Sequence, residues 1–578
     1  MSLQLDQHFL FEGDQDHKLV IYQLLVRLFS NTKSENKPWG TIAENGCGKF
    51  NDINDQALKA LKDFGLTHLW YTGVIEHATM TDYTAYGIAA DDADIVKGRA
   101  GSPYAVKDYY DVDPDLAVEP SQRMQEFEAL VQRTHAHDLK VLIDFVPNHV
   151  ARNYSSKQKD TGAKMFGFDD DTKVHFHPQN NYYYFPGQAF QVPSGIQPLG
   201  PDLVGPYQDE SYFEEPAKAT GNDVFRPNPS VNDWYETVKL NYGVDYQNGG
   251  QQHFDPIPDT WLKMLAILRF WAEKGVDGFR CDMVHMVPVE FWHWCIPSLK
   301  VDFPELLFIG EIYDQNQYRE YIQFGHFDYL YDKVQLYDTL KKIMTEDGST
   351  HWLTGIWQHL RGINKHMLRF LENHDEQRIA SRFFAGDPHL ARPAMFVSAT
   401  WHTGPVMIYS GQEFGEPALG EAGFSKDDGR TTIFDYWGVR EHQKWVNDGA
   451  YDGGQLDESQ RSLREFYQKL LHFSRQYSAI TQGYFYDLNP HLEGKSGYTD
   501  KVLSYLRWYN GEHLLLLNNF SASQEVLFEL SFPGALLLGL DLEPSFSLKG
   551  VFGTEETLHF ADKVSMKLPP LSTIAYRF

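Results

Sequence analysis

Gly278-Phe279-Arg280-Cys281-Asp282-Met283-Val284-His285 follows a helix-like run and the turn signal of Gly275, and its reading decides the fold. Taken as a short buried strand it has period two, so Gly278, Arg280 and Asp282 share one face while Phe279 and Cys281 take the other. Arginine and aspartate then point the same way. A charged pair inside a strand is costly to bury and persists where its ends reach a polar cleft or where a reaction needs it. A guanidinium beside Asp282 favours the ionised carboxylate and lowers its pKa, which suits a nucleophile. From this segment alone a structural ion pair explains the pattern equally well.

Three more apolar runs end in polar groups: Leu306 to Glu311, Met367 to Asp375, and Val141 to His149. Four such strands ending in acids, Asn and His are what a parallel barrel presents at its C-terminal rim. Together they resemble the four sequence signatures of the α-amylase superfamily, glycoside hydrolase family 13: here DFVPNH (144–149), GFRCDMVH (278–285), GEIY (310–313) and ENHDEQ (372–377), in the family's order. The resemblance implies a (β/α)8 TIM barrel with a domain inserted after strand 3 and a C-terminal β-sandwich. Carried over residue by residue, it makes Asp282 the nucleophile, Glu311 the general acid/base and Asp375 the carboxylate that steadies the transition state. Arg280, His149 and His374 then line the sugar subsite at the bond being cut.

Length and composition agree with this outline. The 578 residues can hold one large barrel and a smaller domain. A net charge of −28, from 51 basic and 79 acidic residues, argues against phosphate-backbone binding and hence against a nucleic-acid partner. Cys47, Cys281 and Cys295 have no ligand-like spacing and make no disulfide framework. The start, MSLQLDQHFLFEGDQDHKLV, lacks a basic segment followed by an apolar core, and no apolar run is long enough to cross a bilayer. The expectation is therefore a cytoplasmic protein with no membrane partner; nothing in the sequence sets its oligomeric state.

Along the chain, Lys18 to Phe29 reads as the first barrel strand, beginning too early for a domain before it. A helix with Ala57, Leu58, Leu61 and Phe64 inward precedes a second strand from Leu66 to Thr72. Gly101 to Pro114 looks like the family's loop that supplies an aromatic platform, with Tyr104 stacking on the reacting ring. Helices over 121–137 and 260–274 flank the third and fourth strands. From Ala151 to about Asp245 the texture turns to Pro, Gly, Asn and Tyr, an excursion too long for an ordinary loop. Its Asn181 to Phe185 run offers either sugar-binding faces or a small core. After a helix at 462–477, Val502 to Tyr509 and Glu512 to Leu517 flank Asn510-Gly511, a hairpin signal, and further strands near 526–530, 564–568 and 573–576 follow. The predicted division is a barrel of 1–150 and 246–478, an inserted domain of 151–245 and a β-sandwich of 479–578.

The implied chemistry is hydrolysis of α-glucosidic, chiefly α-1,4, bonds in starch-like glucans or maltooligosaccharides through a covalent glycosyl-enzyme, with the two carboxyls about 5–5.5 Å apart. Glu311, ending an apolar strand, keeps a proton for the leaving oxygen. Two places depart from the family. His285 and Met286 stand where Lys-His usually grips the sugar beyond the cleaved bond, which leaves room for an α-1,6-glucosidase or a glucan transferase. Asn148 matches a family calcium ligand, yet Lys239 stands where an aspartate ligand is usual. Either a structural calcium or the lysine ammonium in its place fits that pattern, and the chemistry itself needs no metal. A non-catalytic carbohydrate-binding relative is a further reading, opposed by the presence of all three acids.

Overall fold

Alternation along each strand builds the barrel wall. In the computed structural model, which describes residues 18–156, 165–196, 211–345 and 348–578, Ile21, Trp70, Leu142, Ile309, Tyr331, Leu368 and Met407 cluster together in the barrel lumen. Their strand neighbours Tyr22, Tyr71, Ile143, Phe279, Phe308 and Ile408 face outward into the main core. The strands are β1 (Val20–Leu25), β2 (His68–Thr72), β3 (Lys140–Phe145), β4 (Gly278–Cys281), β5 (Leu307–Gly310), β6 (Tyr329–Tyr331), β7 (Met367–Leu368) and β8 (Val406–Tyr409). All pair in parallel in that order, and β8 returns to β1. The seam between β7 and β8 closes through Arg369, whose N–H donates to Pro405 O (3.0 Å) and whose carbonyl accepts from Met407 N (2.8 Å). Strands buried on both faces read as near-continuous apolar runs, which is why they stood out in the sequence. Residues 1–17, most of the stretch MSLQLDQHFLFEGDQDHKLV, lie outside the described residues.

The covering helices α1 (Asp55–Asp63), α2 (Arg123–Ala136), α3 (Asp259–Glu273) and, after a further helix α4 (Val289–Lys300), α5 (Glu458–Gln476) include the four expected from the sequence, each within a few residues of its place. Asn54 caps α1, its Oδ1 accepting from Gln56 N and Ala57 N (3.0 and 3.1 Å). The connection from β3 to α3 folds back on itself: His149–Ala151 pairs antiparallel with Thr237–Lys239, and Tyr184–Phe185 with Ala217–Lys218. It carries its own core of Tyr183, Phe185, Phe190, Ala217, Ala219 and Tyr235, joined by Ile95. The tyrosine run is thus core rather than a sugar-binding face. No helix among the described residues is long and apolar enough to cross a membrane.

Beyond α5 lie β9 (Tyr484–Asp487), β10 (Val502–Tyr509), β11 (Glu512–Asn519), β12 (Val526–Leu530), β13 (Ser545–Phe552), β14 (Thr557–Ala561), β15 (Val564–Leu568) and β16 (Thr573–Arg577). A six-stranded sheet in the order β9-β10-β11-β16-β13-β14 packs with the β12-β15 pair around Leu506, Leu515, Phe528 and Met566. Asn510 and Gly511 both take positive φ (47° and 79°), the conformation a two-residue hairpin demands. Strands β13 and β14 escaped sequence reading because few of their side chains are buried. This sheet is tied to the barrel by Arg507 of β10, which is fully buried and donates to the carbonyls of Trp401 (2.7 Å), Gly483 (2.9 Å), Ala479 (3.0 Å) and Ile480 (3.0 Å).

Removing that donor strands several carbonyls in a dry interface. Arg507→Met is expected to lower the unfolding free energy by about 3 kcal/mol or more, read by chemical denaturation. Arg507→Lys should restore only part of it, since one ammonium cannot reproduce the planar fork.

Candidate active site

Arg280 lies at the centre of the rim. Its side chain, 1% exposed, points into the lumen from β4, as the period-two reading required. Nη1 donates to Asp282 Oδ1 at 2.8 Å and faces Asp144 Oδ1 at 3.5 Å, Nη2 pairs with Glu311 Oε2 at 2.8 Å, and Nε donates to Tyr331 OH at 3.2 Å. The rings of Trp70, Tyr104 and Tyr331 surround the guanidinium at 5.3, 5.4 and 5.5 Å.

The carboxyls of Asp282 and Glu311 thus sit on the two terminal nitrogens of one guanidinium. Glu311 is held by two further donors, Met283 N to Oε2 at 3.0 Å and Tyr313 OH to Oε1 at 2.8 Å. Burial raises its pKa, Arg280 opposes this, and Asp282 and Asp375 add to the rise, leaving Glu311 pushed up to about 7. For Asp282 the expectation of a lowered pKa is overturned: burial outweighs the arginine, and the group sits above the ordinary aspartate value. Both acids are stripped of water, and one guanidinium shared between them cannot fully offset that.

Asp375 behaves in the opposite way. Burial would raise its pKa, but His374, whose Nε2 lies 2.9 Å from Oδ2, holds the carboxylate well below the usual range. In return, burial pulls His374 down while Asp375 outweighs it, so the imidazole is held above its ordinary value. His374 Nε2 also lies 2.6 Å from Tyr104 OH, Nδ1 lies 2.8 Å from the Gln23 amide, and the Tyr104 ring stacks on it at 5.2 Å. An imidazolium donates at Nδ1, so with His374 charged Gln23 presents its amide oxygen there. Tyr104 therefore packs on a histidine and reaches Asp144 (3.2 Å) while still facing the opening.

A cleft of about 310 Å³ opens above these groups. Tyr104, His149, Asp282, Glu311 and Asp375 line it, so the three acids predicted from separate strands meet in one hollow. Arg280 and His374 stand behind that wall. His149 sits 5.1 Å from the Trp234 ring, and burial lowers its pKa to about 4. His285, on the short turn Val284–Met286, lies outside the lining, with its ring edge-on to Tyr313 at 6.4 Å. Sequence reading passed over Asp144, Gln23 and Tyr313, and also Lys97, Trp234, Glu236 and Phe434, which line the cleft from loops. Asp144 stood in a quoted motif and could have been found there; the loop residues carry no local pattern.

Asn148 faces an ammonium rather than a cluster of acids. Lys239, 1% exposed, donates to Asn148 Oδ1 and to Met286 O (3.0 Å), and pairs with Asp223 Oδ1 at 2.7 Å. Its positive charge takes the oxygens that a cation at Asn148 would use, so this donor set does not fit a metal ion as well. Among the described residues no group of three His, Cys, Asp or Glu side chains could hold one.

A closed parallel barrel with three carboxyls converging at its C-terminal rim on a buried arginine defines an acid–base enzyme of the (β/α)8 class. The family profile described as "Alpha amylase, catalytic domain" matches residues 23–483, and the chain belongs to that family of glycosidases. It is 22% identical over 487 residues to Alpha-amylase 3 of Dictyoglomus thermophilum, covering 80% of this chain and 78% of that one. It is also 22% identical over 522 residues to a cyclomaltodextrinase of Thermoanaerobacter pseudethanolicus, covering 88% and 71%. Among solved structures, an α-amylase from Geobacillus thermoleovorans in complex with acarbose superposes with a TM-score of 0.62 at 18% identity, over 98% of this chain and 99% of that one. A maltogenic α-amylase from Thermotoga neapolitana gives 0.59 at 20% identity, over 97% and 98%.

The coupling between His374 and Asp375 gives a direct test. In Asp375→Asn, burial and Arg280 both act against the charged form of His374 with Asp144 opposing them, and its pKa should fall below the ordinary imidazole value of about 6.5. Carbon-13 NMR titration of the labelled imidazole rings reads this without any substrate.

Proposed function

We propose that the protein is a retaining glycoside hydrolase that cleaves α-glucosidic, chiefly α-1,4, bonds in starch-like glucans or maltooligosaccharides. The observation that carries this is the pair Asp282 and Glu311, each 2.8 Å from a terminal nitrogen of the same guanidinium. One planar fork draws the two carboxyls together, where an inverting enzyme holds them about 6.5–9.5 Å apart for a water, and this supports direct attack by one carboxylate.

Asp282, ionised on Arg280, attacks the anomeric carbon while Glu311 gives its proton to the leaving oxygen. The bond to the leaving sugar breaks and an ester to Asp282 forms. Glu311, now ionised, takes a proton from an incoming water, whose oxygen displaces Asp282 and regenerates both groups. Asp375, kept charged by His374, accepts hydrogen bonds from ring hydroxyls as the ring flattens, so its contribution grows toward the transition state. His149, kept neutral by burial, presents an uncharged imidazole to the same ring. The nearby relatives, an α-amylase and a cyclomaltodextrinase, act on substrates their names indicate, which supports the α-glucan class. His285 and Met286 keep an α-1,6-glucosidase or a glucan transferase as the second reading, separated by the products formed from maltoheptaose, panose and pullulan.

Asp282→Asn and Glu311→Gln should each cut kcat on maltooligosaccharides by at least about 100-fold; undiminished release of reducing ends by either would end this reading. The pH profile follows from the same groups. Deprotonation removes the acid, so kcat/KM falls as pH rises through the Glu311 value of about 7. Protonation removes the nucleophile, so the acidic limb lies above the usual aspartate range.

In the same reading the Lys239 ammonium does structurally what a calcium ion would do at Asn148. Chelator is then expected to leave activity and melting temperature unchanged. Lys239→Met, which strands Asn148, Asp223 and the Met286 carbonyl, should cost about 3 kcal/mol of stability.

A further inference from the structure

Besides the acids, the cleft wall contains one ion pair with no part in the mechanism above. Lys97 comes from the connection between β2 and β3, Glu236 from the excursion after β3, and Lys97 Nζ lies 2.9 Å from Glu236 Oε1. The Glu236 side chain is 5% exposed, and its second oxygen, Oε2, is buried with no hydrogen-bond partner. Both residues line the same cleft as Asp282, Glu311 and Asp375. The backbone holds the glutamate in place, with Arg152 N donating to its carbonyl at 3.1 Å. A buried carboxylate oxygen without a donor is costly, and because Glu236 lines the cleft a ligand there can bring one.

We propose that Glu236, oriented by Lys97, is a specificity-determining residue: a small turn of its carboxylate lets it accept a hydroxyl of the glucosyl unit next to the one held over Asp282. The pair is neutral overall, which favours a neutral polyol over a charged ligand. Trp234, two residues earlier and half-buried in the same wall against His149, offers an apolar face to the C–H side of that sugar. Carboxylate for the hydroxyl rim and ring for the apolar face together match one pyranose. The assignment rests on the glycosidase reading and deepens it.

The test compares two substrates. α-Glucosyl fluoride fills only the reacting subsite, whereas maltopentaose needs its neighbours. Glu236→Gln should lower kcat/KM on maltopentaose by about 10- to 100-fold, the loss of one hydrogen bond to a charged acceptor, and leave α-glucosyl fluoride within about threefold. Should that variant not fold, Lys97→Met combined with Glu236→Met, which leaves no unpaired charge, is read in the same way. Equal losses on both substrates would assign Glu236 an effect through His149 or the acids and overturn the proposal, as would no loss on either. Wild-type protein inert toward both would instead overturn the glycosidase reading, and this assignment with it.

Discussion

A single buried guanidinium sets the terms for the whole rim. Arg280 faces Asp282, Glu311 and Asp144 directly, so three acids meet one permanent positive charge in a region largely stripped of water. Such a cluster cannot stay fully ionised without large cost, and it keeps a proton. Burial and the neighbouring aspartates put that proton on Glu311, while Asp375 escapes the competition because His374 supplies its own compensation. The division between a protonated and an ionised acid thus follows from counting charges around one arginine rather than from a special property of either carboxyl.

That arrangement is only as firm as the register of β4. Arg280 lies opposite Asp144 on β3 and Ile309 on β5, and a slip of one residue would turn it out among the helices and bring Phe279 or Cys281 inward. The ladder continues beyond the strands themselves: Glu311 N donates to Cys281 O at 3.0 Å, Val284 N to Glu311 O at 3.0 Å, and Asp282 N to Phe145 O at 2.9 Å. Asp282 and Glu311 therefore ride on sheet backbone, not on free loops, which is how a site gains the sub-ångström placement its chemistry needs.

What the sequence revealed follows the same division. Strands buried on both faces, capped helices and the Asn510-Gly511 turn are local patterns, and the barrel could be read from them. The acids at strand ends were legible for the same reason, since Asp282, Glu311 and Asp375 each close an apolar run. The sign of the shift at Asp282 was not legible, because it depends on how much water the folded rim excludes, and no spacing reports that. Nor were Gln23, Lys97, Trp234 and Glu236, which reach the site from the opposite wall or from loops and become neighbours only through tertiary folding. Strands β13 and β14 were missed because so much of each stays in solvent that alternation has little to mark.

The excursion after β3 is fastened to the barrel by charge on the segment Tyr235–Lys239. Lys239 ties it to Asn148 and to the carbonyl of Met286 just past β4, and Glu236 ties it to Lys97 from the connection before β3. Both lysines are largely shielded from solvent, and buried pairs are weakly screened by salt. One of these ammonium groups anchors the segment beside the strand that bears Asp282, and the other orients a carboxylate in the cleft wall. The same short stretch thus fixes the roof over the acids and supplies part of the cleft wall, so the height of the cleft and its polarity cannot vary independently.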